Sequence, residues 1–183
     1  NAGAFLGKYF PFMDCPSSTL PDMCIDTAAN LGSGYAEVMG PCYTAIGGSA
    51  YGVETWDGLY GVGRLSDNGV LTPFSRVNIA AITDGTSSTM MVGEQSDWCV
   101  KTNGEKVQCR ASDMYGFTIG ASRENGAAKK NGVFRPFNSN FVRYHINFNK
   151  WEAAGVQGVH TYGANRPLLS AHPGGAQSAF ADG

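Results

Sequence analysis

Apolar and polar positions alternate along this chain in short bursts, and turn residues interrupt them before a helical period can develop. The longest stretch without glycine or proline covers 137–154, and its period is two: Val142, Tyr144, Ile146 and Phe148 alternate with Arg143, His145 and Asn147. That spacing predicts a strand with one buried face. Thr89-Met90-Met91-Val92, following Asp84-Gly85, predicts a shorter strand. A short helix is conceivable over 27–39, although Gly32 and Gly34 weaken it.

The interruptions are themselves a signal. Asn68-Gly69, Asn103-Gly104, Asn125-Gly126 and Asn131-Gly132 are Asn-Gly steps; Asp57-Gly58, Asp84-Gly85 and Asp182-Gly183 are Asp-Gly steps. Each predicts a turn, because these residues enter positive φ at little cost. With 25 glycines and 8 prolines spread along the chain, few windows can carry a helix longer than about ten residues. The expected fold class is α+β, dominated by short strands. No internal repeat or low-complexity linker divides 1–183, so one β-rich domain is expected.

Composition narrows the partners. Charged residues are 15% of the chain and hydrophobic ones 43%; the apolar share is too high for a disordered segment. A net charge of −2 with basic residues scattered along the chain leaves no surface to neutralise a phosphate backbone, which argues against nucleic acid. No apolar run approaches the roughly 18 residues of a membrane-spanning helix.

The five cysteines include no C-x-x-C pair. Cys99 and Cys109 flank Asn103-Gly104, a hairpin signal; a three-residue loop would set them face to face and a two-residue loop would put them out of register. A disulfide there implies an oxidising compartment. Cys15, Cys24 and Cys42 cannot all pair internally, so one of them is free or bonded elsewhere.

No nucleophile elbow, Walker loop, dinucleotide fingerprint or EF-hand loop occurs. His145, His160 and His172 lack metal-ligand spacing, and nothing selects one cysteine as a nucleophile. Asp67, Asp84, Asp97 and Asp182 stand beside turns and are candidate calcium ligands, though turn chemistry alone accounts for them. The expectation is a non-enzyme without a cofactor, calcium being the one weak exception.

The last fourteen residues are distinctive. His172-Pro173-Gly174-Gly175 reads as a turn whose two glycines open the positive-φ region. Ala176 to Ala181 suits a strand of small side chains, ended by Asp182-Gly183. That strand would keep His172 and Asp182 apart, against their acting as a catalytic pair.

Four blocks together resemble a family. His172 followed after nine residues by Asp182-Gly183 is similar to the H-x9-DG signature of bacterial prepilin-like proteins associated with type II secretion pseudopilins. The segment from Ile82-Thr83-Asp84-Gly85-Thr86 to Val92-Gly93-Glu94 resembles its I-T-D-G-T block, Cys15-Pro16-Ser17 its C-P-S-D, and Val142 to Asn147 its V-R-Y-P-I-N. Departures are Ser18 for Asp, Ser88 and Gln177 for Asn, and His145 for Pro.

The resemblance implies a pilin-like globular head, an antiparallel sheet with long loops, packing on an apolar N-terminal helix of about 20 residues upstream of Asn1. It implies a structural subunit of a pilus, pseudopilus or other surface filament, extracellular or on the cell surface and membrane-anchored before assembly. Its partners would be copies of itself or other pilin-like subunits, with the membrane reached only through that helix. No catalytic residue carries over; Asp84, Gly85, Thr86, Glu94, His172, Pro173, Gly174, Gly175, Asp182 and Gly183 would be structural. The competing class is an exported glycan- or ligand-binding module using Tyr43, Tyr51, Trp56, Tyr60 and Trp151.

Overall fold

Short bursts of alternation become short strands. The computed structural model describes residues 4–26, 36–51, 55–57, 63–73, 75–111, 122–123, 133–135, 138–157 and 163–183. Tyr60, His160 and the turns expected at Asn125-Gly126 and Asn131-Gly132 lie outside them, as does Gly58 of the Asp57-Gly58 step.

The strands are β1 (Met23–Asp26), β2 (Ala36–Met39), β3 (Tyr43–Ser49), β4 (Trp56–Asp57), β5 (Arg64–Leu65) and β6 (Met90–Glu94). They continue as β7 (Cys99–Val100), β8 (Lys106–Val107), β9 (Ser122–Arg123), β10 (Val133–Arg135), β11 (Ser139–Val142) and β12 (Ser178–Phe180). Single 3-10 turns occur at Pro11–Met13, Ile79–Ala81 and Thr86–Ser88. The β-dominated class therefore holds, and no helix among the described residues is long and apolar enough to cross a membrane.

One four-stranded sheet, ordered β11-β3-β6-β12, organises the rest. The β3/β6 and β6/β12 pairs are antiparallel, with Tyr43 opposite Glu94 and Ser178 opposite Gly93. The β11/β3 pair is parallel, with Ser139 opposite Ala45, so the sheet is mixed. Glycines thin it where large side chains must seat. A Cβ on Gly47 would lie 2.9 Å from the Phe141 ring, and one on Gly93 would lie 2.7 Å from Leu168 Cδ2. Phe141 and Leu168 are both buried, filling the space those missing side chains leave.

A second apolar centre forms around Cys99, Cys109, Val156 and Leu169, with Tyr144, Phe148 and Trp151 packed against it. The Cys99–Cys109 disulfide closes here with its Cα atoms 5.8 Å apart. The cysteines are not directly opposite: Cys99 faces Val107, so the bond crosses the hairpin diagonally. The loop is 102–104, one residue earlier than the 103–105 loop that would oppose the cysteines, with Lys101 N–H donating to Glu105 O and Gly104 N–H to Lys101 O. Gly104 supplies φ 85°, as a three-residue hairpin loop requires.

Two expected elements differ. The period-two segment is a strand only as far as Val142. Beyond it the chain turns, with Phe148 N–H donating to His145 O and Asn147 at φ 62°. Tyr144 stacks flat on Phe148, ring centroids 4.2 Å apart, while Ile146 stays 47% exposed. Two aromatics four residues apart reach one core through a turn, and that spacing mimics strand alternation. Residues 36–39, the end of the segment considered helical, instead form β2, antiparallel to β1; 27–35 lie outside the described residues.

A loop-rich chain leaves buried backbone groups that no ladder satisfies, and buried amides take over. Asn165 accepts from Arg64 N–H at 2.7 Å and donates to Arg64 O and Phe141 O, each at 2.8 Å. Gln95 donates to Arg166 O and Pro167 O and accepts from Ala111 N–H. Arg110, buried, donates to Gly40 O, Pro21 O and Gln108 Oε1.

Candidate functional site

Where β6 ends, Glu94 turns its carboxylate fully inward. Ser96 hydroxyl donates to its Oε1, and Gln177 N–H donates to its Oε2 at 2.7 Å. Its backbone is held from both sides: Glu94 N–H donates to Gln177 O and its carbonyl accepts from Leu169 N–H, each at 3.1 Å.

The segment that delivers His172 is tied down one residue at a time. Ser96 N–H donates to Leu169 O at 2.7 Å, Ser170 N–H to Asn147 Oδ1 at 2.9 Å, and Ala171 N–H to Ser96 Oγ at 3.0 Å. His172 N–H then donates to Ser170 Oγ at 3.0 Å. The N-terminal segment joins the same place, because Ser18 Oγ donates to Ser96 O at 2.8 Å and Ser18 N–H donates to Cys15 O at 2.9 Å.

The result is a buried cluster. Cys15 Sγ lies 3.3 Å from His172 Nε2, and Glu94 Oε1 lies 3.8 Å from the same nitrogen. Cys15 is 1% exposed, whereas the His172 side chain keeps 30% of its surface in solvent. Burial pushes the Glu94 carboxyl up, but hydrogen bonds from Gln177 N–H, Ser96, Cys15 and Ser170 outweigh it and hold the group below its usual value. It is therefore a carboxylate at neutral pH.

A Cys-His-acid relay needs the thiol on one ring nitrogen and the acid on the other, so that the acid orients the base. Here both converge on Nε2. Three donor atoms of three chemical types lie within 4.8 Å of one another.

All four sequence blocks contribute. Cys15 comes from the first, Glu94 from the end of the second, Asn147 from the third and His172 from the fourth. Antiparallel pairing of β6 and β12 explains the last match, since the two blocks run alongside each other in opposite directions. His172 meets the Glu94 end, and Ala181 N–H donates to Thr86 O and Thr89 O at the other. Asp182 and Gly183 thus sit beyond the far end of β12 from His172. The turn that begins with Asp84 and Gly85 closes through Ser88 N–H and Thr89 Oγ1, both donating to Gly85 O. Pro173 and Gly174 are exposed. Of the two glycines expected at positive φ only Gly175 has it, at 130°.

Gln177 acts through its backbone, and Ser18 bonds through its hydroxyl and N–H.

The other candidates stand apart. His145 is exposed, its Nδ1 3.0 Å from Ile146 O. Asp97 accepts from Trp98 N–H at 2.8 Å. Asp67 and Asp84 line an open cleft of about 240 Å³. Tyr43 and Trp151 are half-buried while Tyr51 is exposed. Cys15, Cys24 and Cys42 are all free thiols. Cys42 donates to Asp14 Oδ1 at 3.3 Å, and burial pushes its thiol up.

Sequence reading missed the cluster because it sought repeated histidines at metal spacing. The available signal was one ligand-type residue in each of three separate blocks.

A family model described as "Protein of unknown function (DUF1559)" matches residues 1–183. No curated protein and no solved structure matches the chain.

Proposed function

The chain belongs to the DUF1559 family over its whole length, and on that premise we propose that it is a pilin-like surface protein, a non-catalytic structural subunit of a pilus, pseudopilus or related filament. The whole-length family match carries this reading, together with the resemblance of the four blocks to prepilin-like proteins. Two features are consistent with it. A disulfide suits an exported protein, and a β-dominated domain suits the head of a pilin-like subunit. Exposed Phe12 and Ile79, at 79% and 68%, offer apolar contacts of the kind assembly uses.

On this reading the protein is exported to the cell surface, and its partners are further copies or related subunits. Immunogold labelling of sheared surface material from the native source tests it. Label periodically along filaments supports the proposal. Label confined to a diffuse coat, with no filament and no co-purifying pilin-like subunit, overturns it.

A further inference from the structure

We propose that Cys15, Glu94 and His172 form a binding site for one divalent transition-metal ion of the zinc class. The inference rests on the donor set, its geometry and its charge, and is independent of any filament role.

The donor set is selective. Thiolate sulfur, imidazole nitrogen and carboxylate oxygen are the three ligand types Zn²⁺ accepts together. Calcium and magnesium favour oxygen alone, and Cu(I) favours sulfur without carboxylate.

Around His172 Nε2 the spacing is close to that of a coordinated ion. Bond lengths of roughly 2.3 Å to sulfur and 2.0–2.1 Å to nitrogen and oxygen place tetrahedral ligand atoms about 3.4–3.6 Å apart. The observed separations of 3.3 Å for Sγ to Nε2 and 3.8 Å for Nε2 to Oε1 bracket that range. Three protein ligands leave a fourth position for water, and the partial exposure of His172 gives solvent a route to it.

Charge is compatible with the same ion. Glu94 is fully buried, and among the described residues its ion-pair contact is with His172 alone, with no lysine or arginine. With a divalent ion bound, Cys15 releases its proton to solvent, and thiolate plus carboxylate balance the two positive charges. The cluster then becomes neutral.

The supporting contacts resemble those that orient metal ligands. Ser96 and Gln177 fix both carboxylate oxygens, and Asn147 fixes Ser170, which fixes His172. A bound ion would pin the N-terminal segment, the end of β6 and the C-terminal segment together. It would also keep a thiol reduced in a chain that elsewhere forms a disulfide.

Titration of the purified 183-residue chain, disulfide intact, with Zn²⁺ and separately with Co²⁺ tests this. The expected result is one equivalent per chain and, with cobalt, a thiolate charge-transfer band together with visible bands of four-coordinate geometry. Cys15→Ser should abolish the charge-transfer band. Cys15→Ser, His172→Ala and Glu94→Gln should each weaken zinc binding by more than the roughly 10- to 100-fold that an outer contact costs. The double variant Cys24→Ser/Cys42→Ser should retain the band. Zinc should also protect Cys15 from alkylation, read by mass spectrometry on the unmodified protein, which keeps the test decisive if a ligand variant does not fold. Absence of stoichiometric zinc binding, a cobalt spectrum without a thiolate band, or alkylation of Cys15 at the same rate with and without zinc overturns the proposal.

Discussion

Asn147 accepts a hydrogen bond from Ser170 N–H at 2.9 Å while its own backbone sits at φ 62°. One residue thus combines a backbone conformation asparagine tolerates with an acceptor for a buried amide. Asn147→Gly should keep the conformation and lose the acceptor, destabilising by about 1–3 kcal/mol. Asn147→Ala should lose both and fall lower by roughly 1–2 kcal/mol more. Urea denaturation midpoints give the order, and an alanine variant as stable as the glycine one would show that the backbone conformation is unimportant here.

The Cys99–Cys109 bond closes a loop with a sequence separation of 10. Chain-entropy arguments make it worth about 2–3 kcal/mol. Cys99→Ser/Cys109→Ser should lower stability by that amount, and peptide mapping without reduction should recover the two cysteines as one linked species. Two separate alkylated peptides would contradict the pairing.

Gly174 and Gly175 should behave differently despite being adjacent. Gly175 has φ 130°, whereas Gly174 has ordinary φ and open space where a Cβ would stand. Gly175→Val should cost about 1–3 kcal/mol and Gly174→Val less than about 0.5 kcal/mol. Equal melting temperatures for the two variants would refute the distinction.

A methyl group added at Gly93 would meet Leu168 Cδ2 at 2.7 Å. Gly93→Ala should destabilise by about 1–3 kcal/mol through overpacking. Leu168→Ala alone should also destabilise, but the double variant should be better than the sum of the two. A double-mutant cycle with no coupling would place the strain elsewhere.

The hairpin tip should loosen in acid. Hydrogen bonds from Lys101 and Asn103 hold Glu105 below its ordinary value, and the Thr102 amide does the same for Glu152. Carboxyls with lowered folded pKa values contribute stability above the unfolded value of about 4.5, and the contribution disappears as pH falls through the folded ones. Side-chain NMR titration should place both midpoints below 4.5. Lys101→Ala should move Glu105 up more than Glu152, whose largest contact is with the backbone.

Local chemistry was legible in the sequence, and convergence was not. Asn103-Gly104 announced its hairpin because turn preference is a property of adjacent residues. Met90 to Val92 was readable as strand for the same reason. Tyr144 and Phe148 misled, since stacking through a turn leaves the same residue spacing as alternation along a strand. Glu94 and Cys15 appeared only as members of separate blocks. Their proximity depends on β6 pairing with β12 and on Ser18 reaching Ser96, which is three-dimensional information. The diagonal course of the disulfide likewise followed from a register two residues away from the one that opposes the cysteines.

The contact between Cys15 and His172 spans 157 positions of chain, and β3 must find β11 as a parallel neighbour across a long crossover. Contacts this distant are slow to form, because loop-closure entropy opposes them until many are made at once. Cys15 and His172 cannot meet before residue 172 has been made. A chain stalled before it would leave Cys15 without the imidazole that stands 3.3 Å away in the folded protein.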